Sequence, residues 1–378
     1  MKDADGSGER RGGLLPRQRI RDLVAKGAVE ADSALRDSQF QPASLDLRLG
    51  PRAFRVRTSF LPGPSRTIAD TLSDLNSEPV DLEPGAILER GCVYVVELME
   101  RLALPQDVSA GANPKSSTGR LDVFTRLITD RSVVFDSVEA GYAGRLYAEV
   151  SPRTFSVKVR AGTRLNQIRF RRFGRGEDGP AAWRLSDREL REEHERSRLV
   201  DEGAIVRDGL VLRIELSGLG AANLVGYRAQ RHAEVIDVDR RAAYPARDYW
   251  EPIVARSDRR LILDPNEFYI LASKEQVHVP AELAAEMVPI DPSMGEFRVH
   301  YAGFFDPGFG ARGNGRAGSR AVLEVRSHEV PFLLEDGQMV CRLAYERMAE
   351  APDALYGAIG TSNYQGQELR LSKQFRDG

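Results

Sequence analysis

The stretch Ala302-Gly303-Phe304-Phe305-Asp306-Pro307-Gly308-Phe309 places strong turn chemistry between apolar residues. Aspartate, proline and glycine in succession favour a tight turn, and the apolar residues on both sides predict strands that hold it rigidly. Short β-rich runs broken by Gly, Pro and Asp recur at residues 93–98, 146–150, 268–272 and 321–325. Such a pattern predicts a mainly β protein of the sandwich or distorted-barrel type. We call residues 302–309 the Asp-Pro-Gly turn.

Few segments predict helices. Residues 16–26 begin with a proline suited to a first helical turn and carry Ile20, Leu23 and Val24 at helical spacing. Residues 186–200 open with Ser186-Asp187-Arg188-Glu189, which has the form of a capping box. Because this second segment is rich in Arg and Glu, it predicts a linker helix with a solvated face.

The two halves of the chain carry matching features at one shared offset, which indicates a tandem duplication. The matches are Glu149 with Glu324, Gly162 with Gly337, and Pro105-Gln106-Asp107-Val108 with Pro280-Ala281-Glu282-Leu283. We predict a first domain at residues 14–178, a second at residues 179–378 and a disordered lead-in at residues 1–13. The best boundary is the segment 174–180. The first copy is longer after Arg120, and the second gains a Gly/Arg-rich loop at residues 311–319.

The composition indicates which classes of partner and which cellular compartment to expect. Lys and Arg total 54 and Asp and Glu total 56, so bulk charge argues for neither a nucleic-acid nor a membrane partner. The two cysteines, Cys92 and Cys341, lie in apolar strand-like runs and predict buried reduced thiols without a disulfide. Residues 1–13 are charged and Gly-rich, with no apolar segment long enough for a signal. We therefore expect a cytoplasmic protein.

Two further segments carry chemistry. Lys115-Ser116-Ser117-Thr118-Gly119-Arg120, here called the Lys-Ser-Ser string, offers hydroxyl, ammonium and guanidinium donors at a density suited to a polyphosphate. Residues 362–378, here called the tail segment, contain Tyr364-Gln365-Gly366-Gln367 after Asn363, and Tyr356 precedes them. Its Tyr and Gln side chains could close over a ligand. We expect truncation after Thr361 to abolish activity without unfolding the protein.

Together, the Lys-Ser-Ser string, the Asp-Pro-Gly turn and the tail segment resemble the dCTP deaminase family, a branch of the trimeric dUTPase-like fold. The resemblance covers most of the chain in two incomplete sets of motifs, one in each half. It implies two tandem dUTPase-like domains of distorted β-barrel or jelly-roll type with a few short helices. It also implies hydrolytic deamination of dCTP to dUTP and ammonia, within the supply of thymidylate precursors.

A carboxylate is the expected catalytic group. Deamination needs an activated water, a proton for N3 of the cytosine and a proton for the leaving ammonia, and one carboxylate can move all three. Zinc deaminases use a Pro-Cys-x-x-Cys segment instead, which this sequence lacks. The family's catalytic Glu follows the turn in a Val-Leu-Glu context, and Val322-Leu323-Glu324 matches it. The resemblance therefore implies a metal-free mechanism with Glu324 catalytic, and Glu149 stands at the equivalent place in the first copy.

The two copies have lost complementary parts. The first keeps the Lys-Ser-Ser string, with Lys115 where the family has Arg, whereas the second reads Asp291-Pro292-Ser293-Met294-Gly295-Glu296 there. Two carboxylates at that place would repel a triphosphate by several kcal/mol. The second copy keeps the Asp-Pro-Gly turn and the tail segment. Because the family's phosphate and nucleoside motifs meet across subunits, the resemblance implies one composite site per pair of copies.

The resemblance also implies a role for each site residue. The residues assigned to the phosphates are Lys115, Ser116, Ser117 and Arg120. The deoxyribose is assigned to Asp306, and the base edge to the backbone near Ala302, Val322 and Leu323. Tyr356, Asn363 and Gln367 are expected to close over the substrate. Asn363 stands where the family has a Lys near the phosphates. We expect no cofactor for the chemistry, Mg²⁺ bound with the triphosphate, dTTP as a candidate inhibitor and a homo-oligomer. Two alternatives stay open: a dUTP pyrophosphatase or bifunctional enzyme of the same fold, and a non-enzymatic nucleotide-binding regulator.

Overall fold

The structure, a computed structural model, describes residues 12–174, 183–289, 297–300, 303–311, 318–327, 329–358, 360 and 363–376. It is mainly β, as predicted. The strands of the first half are β1 Gly13–Leu14, β2 Val29–Ala31, β3 Leu45–Asp46, β4 Leu49–Val56, β5 Glu78–Asp81, β6 Ala86–Leu88, β7 Val93–Ala103, β8 Val108–Pro114, β9 Val123–Thr129, β10 Ser137–Val138, β11 Ala143–Pro152, β12 Val157–Val159 and β13 Asn166–Arg172.

The second half contributes fourteen described strands. They are β14 Leu210–Arg213, β15 Leu224–Ala229, β16 Ile236–Asp237, β17 Tyr244–Pro245, β18 Trp250–Val254, β19 Arg260–Leu263, β20 Phe268–Val277, β21 Leu283–Pro289, β22 Phe297–His300, β23 Phe304–Phe305, β24 Ser319–Ser327, β25 Phe332–Glu335, β26 Met339–Arg347 and β27 Phe375–Arg376. The helices are α1 Arg17–Ala25, α2 Ile68–Asp74, α3 Ser116–Gly119 and α4 Asp187–Ser197, with 3₁₀ turns at Asp37–Gln39 and Ala246–Asp248.

The main paths of the sheets have the same strand order in both halves. Two short strands of the first half, β2 beside β7 and β3 beside β13, have no counterpart among the described strands of the second-half sheets. The first half has antiparallel sheets of order β1-β13-β8-β10 and β5-β4-β7-β11-β9. The second half has antiparallel sheets of order β14-β26-β21-β23 and β18-β15-β20-β24-β22. Matched one to one, these orders are identical, which confirms the tandem duplication. Gly13, expected in the disordered lead-in, lies in β1 because its backbone pairs with Arg172 of β13. The predicted boundary lies mostly outside the described residues.

Successive side chains of β24 point to opposite faces of the sheet, and this alternation places Glu324 in the site. Leu323 and Val325 point into the core of the second half, whereas Val322 and Glu324 point to the opposite face, toward the first half. The strand is central in its sheet, between β20 and β22, so its backbone is held on both sides. A carboxylate thus sits on a rigid strand at the junction of the two copies.

The core of the first half continues into the second half. Ile236, Trp250, Phe268, Leu371 and Phe375 of the second half belong to the same buried cluster as the first-half strands. Strand β16 also pairs in parallel with β12 across the junction. Each large apolar side chain buried there contributes about 1.5–3 kcal/mol. Apolar packing therefore fixes the halves against each other, although the second half also has a core of its own.

Local predictions of helices are confirmed. Helix α1 spans all but the ends of its predicted segment, with Ile20 and Leu23 buried. Helix α4 starts after Ser186, whose hydroxyl caps the Glu189 amide in a complete capping box. Both cysteines are free. Cys341 is buried, as predicted, but Cys92 is only half-buried: it directly precedes β7 and contacts Arg55. Within the described residues, no helix combines the length and apolarity needed to cross a membrane.

Candidate active site

The Lys-Ser-Ser string of the first half and the Asp-Pro-Gly turn of the second half face each other across one small cavity. Its volume is about 60 Å³. The first half contributes Lys115, Ser116 and Arg120. The second half contributes Asp306, Val322, Glu324, Tyr356 and Gln367, among others. The structure therefore brings together, from both copies, eight of the residues singled out in the sequence.

Glu324 is the buried acid of this cavity. Its side chain is 4% exposed and faces the cavity from β24. Burial raises the pKa of Glu324 to about 8, and the nearby Arg120 guanidinium only partly opposes this rise. At neutral pH the carboxyl is therefore mostly protonated. A neutral acid in a dry cavity can donate a proton to a bound base and then, once ionised, accept one from water.

Asp306 is held by an arginine that the sequence analysis missed. Arg169 of β13, which is fully buried, donates from Nη2 to Asp306 Oδ1 at 2.9 Å. It also donates to the carbonyl oxygens of Ala285 and Phe305, both at 3.0 Å, and its guanidinium lies 4.0 Å from the ring centre of Phe304. Burial raises the pKa of Asp306, and the adjacent Arg169 charge acts against that rise. An ion pair between the copies thus fixes the turn.

One signal could have pointed to Arg169. It stands between Ile168 and Phe170 in a run that forms a buried strand, and a charged residue in such a run needs a buried partner. Nothing in the sequence identifies Asp306 as that partner, since the two residues are 137 positions apart.

The Asp-Pro-Gly turn forms as predicted and supports Tyr356. Gly308 has φ +88°, and a Cβ there would lie 2.8 Å from Cβ of Leu355, so glycine lets the following segment approach closely. The Tyr356 amide donates to the Pro307 carbonyl at 2.8 Å. Its ring packs on Phe309 with centroids 5.6 Å apart. Tyr356 is therefore a wall of the cavity, and burial raises the pKa of its hydroxyl, which keeps it neutral.

Arg120 is the point where the tail segment crosses the site. Its guanidinium donates to Gln367 Oε1 at 3.0 Å and to the Arg370 carbonyl at 2.7 Å, and it lies 3.8 Å from the ring centre of Tyr364. Ligand cavities are ordinarily about 300 Å³ or larger. The cavity must therefore widen to admit a nucleoside, and the tail segment is one of its walls.

The tail segment is anchored on both sides of this crossing. Gln367 Nε2 donates to the Arg320 carbonyl at 3.1 Å, and Ser372 Oγ donates to the Ser117 carbonyl at 2.7 Å. Leu371 and Phe375 are buried in the core of the first half. The expectation that truncation after Thr361 leaves the protein folded is therefore revised, because truncation also removes core side chains.

Three predicted site residues are not at the cavity. The side chain of Leu323 is fully buried in the second core, because neighbouring residues of a strand face opposite ways and Glu324 faces the cavity. Ser117 and Asn363 instead line a second, larger cavity that adjoins the first at Lys115. Ala302 lies outside the described residues.

Glu149, the equivalent of Glu324 in the first copy, is differently placed. Its Oε1 accepts hydrogen bonds from Arg126 Nη2 at 2.6 Å and from Nε at 3.2 Å. The same guanidinium lies 3.5 Å from the ring centre of Phe135. Unlike Glu324, this carboxylate is therefore paired with an arginine of its own copy.

Comparison with known proteins agrees with this geometry. Residues 11–175 match the family model of the 2'-deoxycytidine 5'-triphosphate deaminase N-terminal domain, and residues 186–375 match that of the C-terminal domain. The chain is 32% identical to a dCTP deaminase of Halorubrum lacusprofundi over 183 residues, covering 42% of this chain and 87% of the relative. It is 30% identical to a "dCTP deaminase, dUMP-forming" of Methanobrevibacter smithii, covering 46% of this chain and 84% of the relative.

A solved structure resembles nearly the whole chain. The crystal structure of 2'-deoxycytidine 5'-triphosphate deaminase from Agrobacterium tumefaciens aligns with a TM-score of 0.84 and 55% identity, covering 90% of this chain and all of the other. Two family models that span most of the sequence and a full-length structural match identify the same enzyme class. The chain belongs to the dCTP deaminase family.

Proposed function

We propose that this protein hydrolyses dCTP to dUTP and ammonia at a single composite site, with Glu324 as the general acid and base. The observation that carries the proposal is a buried, mostly protonated Glu324 facing a cavity that is shared with Arg120 of the other copy. One half then supplies phosphate-binding donors, and the other half supplies the acid and the Asp306 turn.

The steps follow from the protonation state of Glu324. The neutral acid gives its proton to N3 of cytosine, which makes C4 electrophilic. The resulting carboxylate takes a proton from water, and the hydroxide adds to C4. The acid then protonates the amino group, the C4–N4 bond breaks, ammonia leaves, and Glu324 recovers its proton from the new hydroxyl group. The net change is one water consumed and one ammonia released, with the acid restored.

The pH dependence follows from the same acid. Because Glu324 must start protonated and its pKa in the free enzyme is raised to about 8, kcat/KM should be flat near neutrality and fall as pH rises through about 8. Steady-state assays from about pH 6.5 to pH 9.5 measure this profile. A profile that rises through this range would mean that the ionised carboxylate starts the reaction, contrary to the proposal.

A second expectation concerns Arg120 and the number of sites. Arg120→Ala should weaken dCTP binding roughly tenfold to hundredfold, and Arg120→Lys should restore it only in part, because an ammonium cannot reproduce a planar donor fork. Calorimetry on the unmodified chain should find one dCTP per chain, since Arg126 occupies the equivalent place beside Glu149. Two nucleotides per chain would show that both copies form complete sites.

Magnesium is proposed to enter with the triphosphate. Hard divalent cations take oxygen ligands from phosphates and water. The carboxylates that line the larger cavity are Asp46, engaged by Lys115, and Asp239, whose Oδ2 is 2.7 Å from Arg160. Both carboxylates are already paired with cations, and among the residues that the structure describes no three metal-ligating side chains cluster. Mg²⁺ is therefore proposed to neutralise phosphate charge only.

The second candidate is a bifunctional enzyme that goes on to dUMP. The dUMP-forming name of several relatives favours it. Incubation with dCTP, dCMP and dUTP, with ammonia and pyrophosphate followed separately, distinguishes the candidates. Ammonia alone supports the proposal, ammonia with pyrophosphate supports the bifunctional enzyme, and tight binding without either product supports a regulator. Inhibition by dTTP, homo-oligomerisation and a cytoplasmic location stay predictions.

A further inference from the structure

The larger cavity beside the candidate active site is lined by cationic side chains that take no part in the proposed deamination steps. Its volume is about 590 Å³, and Lys115 lines both cavities. Six cationic side chains and two carboxylates line the larger cavity. Within the Lys-Ser-Ser string, Ser116 faces the small cavity and Ser117 the large one, so the string passes from one to the other.

Three of these six cations already lie beside a carboxylate of the cavity. Asp46 is engaged by Lys115 and lies 3.6 Å from Arg164, and Asp239 pairs with Arg160. The other three, Arg36, Arg241 and Lys373, have no carboxylate partner among the residues that the structure describes. Because six cations and only two carboxylates line the cavity, its net charge is positive, which favours the arrival of an anion.

Lys373 is held in place by its neighbours. Its backbone amide donates to the Tyr364 hydroxyl at 3.3 Å, and the flanking Ser372 and Gln374 side chains donate to the Ser117 and Val238 carbonyls at 2.7 and 2.6 Å. Burial, together with the charges of Lys115 and Arg241, lowers the pKa of Lys373 to about 8, and the carboxylates of Asp46 and Asp239 oppose this shift. The ammonium is therefore positioned in the cavity with a charge that an anion would stabilise.

Arg241 is oriented from the opposite wall. Its Nη2 donates to Asn363 Oδ1 at 2.6 Å, and Asn363 belongs to the tail segment one residue before Tyr364. Because Tyr364 packs on Arg120 and its hydroxyl accepts from Lys373, the tail segment links the small cavity to both cations.

We propose that Lys373 and Arg241 bind the terminal phosphates of the nucleoside triphosphate whose base lies beside Glu324. This inference rests on the proposed function. A phosphate chain that leaves the small cavity past Lys115 enters the large one, where an ammonium and a guanidinium offer charge-assisted hydrogen bonds to its oxygens. The cavity thereby selects a triphosphate over a monophosphate.

The test measures binding in the Glu324→Gln background, which prevents turnover of the ligand. Lys373→Met should weaken dCTP binding roughly tenfold to hundredfold and leave dCMP binding unchanged within about twofold. Arg241→Ala should act in the same direction. Arg240→Ala is the matched control, because its exposed side chain does not line the cavity, and it should leave both affinities unchanged.

A proton measurement separates direct contact from a structural effect. At about pH 8.5 the phosphates are ionised and Lys373 is partly neutral, so binding of dCTP should take up a fraction of a proton. Calorimetry in two buffers with different ionisation heats detects this uptake. Lys373→Arg should keep most of the affinity but lose the uptake, and Lys373→Met should lose both.

Two results would overturn the inference: equal losses of dCTP and dCMP affinity in Lys373→Met, or unchanged dCTP affinity in that variant. Binding of inorganic tripolyphosphate, which has no base to deaminate, tests the phosphate assignment independently of the deamination proposal. If the enzyme releases no ammonia from dCTP but tripolyphosphate binding still depends on Lys373, the proposed function fails and the phosphate assignment stands.

Discussion

Glu324→Gln should lower turnover of dCTP at least about a hundredfold while leaving its binding nearly unchanged. The amide has almost the shape of the neutral acid that burial favours at this position, but it can neither give nor take the protons that the reaction needs. Single-turnover kinetics measure the chemical step, and calorimetry measures the affinity. Because we propose that the carboxyl acts on the reacting atoms, we expect the whole loss in the chemical step.

The matched control is Glu149→Gln. Glu149 holds the equivalent place on β11, but it pairs with Arg126 away from the composite cavity, so its replacement should change turnover less than about twofold. Equal losses in the two variants would mean that each copy runs its own site. A full-rate Glu324→Gln enzyme would remove Glu324 from the chemistry altogether.

Arg169→Met should lower the free energy of unfolding by about 3–5 kcal/mol, because it leaves the buried Asp306 carboxylate without its cation. The variant also loses the hydrogen bonds to two carbonyls that tie β21 and β23 to the first half. Urea unfolding measures the change. Arg188→Met is the control: Arg188 is 83% exposed and pairs only at 3.8 Å, so about 0.5 kcal/mol or less is expected.

A double variant distinguishes the ion pair from simple loss of packing. Arg169→Met with Asp306→Asn removes both buried charges, so part of the stability should return. Activity should not return, because the variant lacks the carboxylate to which we assign the deoxyribose. If the double variant is as unstable as the sum of the single ones, the two residues do not interact, and the proposed link between the copies is wrong.

Features that depend on neighbouring residues could be predicted from the sequence alone. The Ser186–Glu189 capping box, the Asp-Pro-Gly turn and the central strand that carries Glu324 all form as expected, because each is set by local backbone and side-chain chemistry. The duplication could also be predicted from the sequence, because two similar domains carry matching residues at one constant offset. Alternation along β24 likewise places the side chain of Leu323 in the second core, opposite to Glu324.

The sequence by itself determined the mainly β fold, its repetition, and the acid, turn and string to which we assign the chemistry. Only the tertiary structure decided which charges meet. Arg169 finds Asp306, Arg126 occupies the place beside Glu149, and Lys373 lines the cavity beside Lys115 through packing between segments distant in the chain. The physical reason is that burial and charge pairing depend on what surrounds a group in space, whereas turns, caps and strand alternation depend on residues a few positions away.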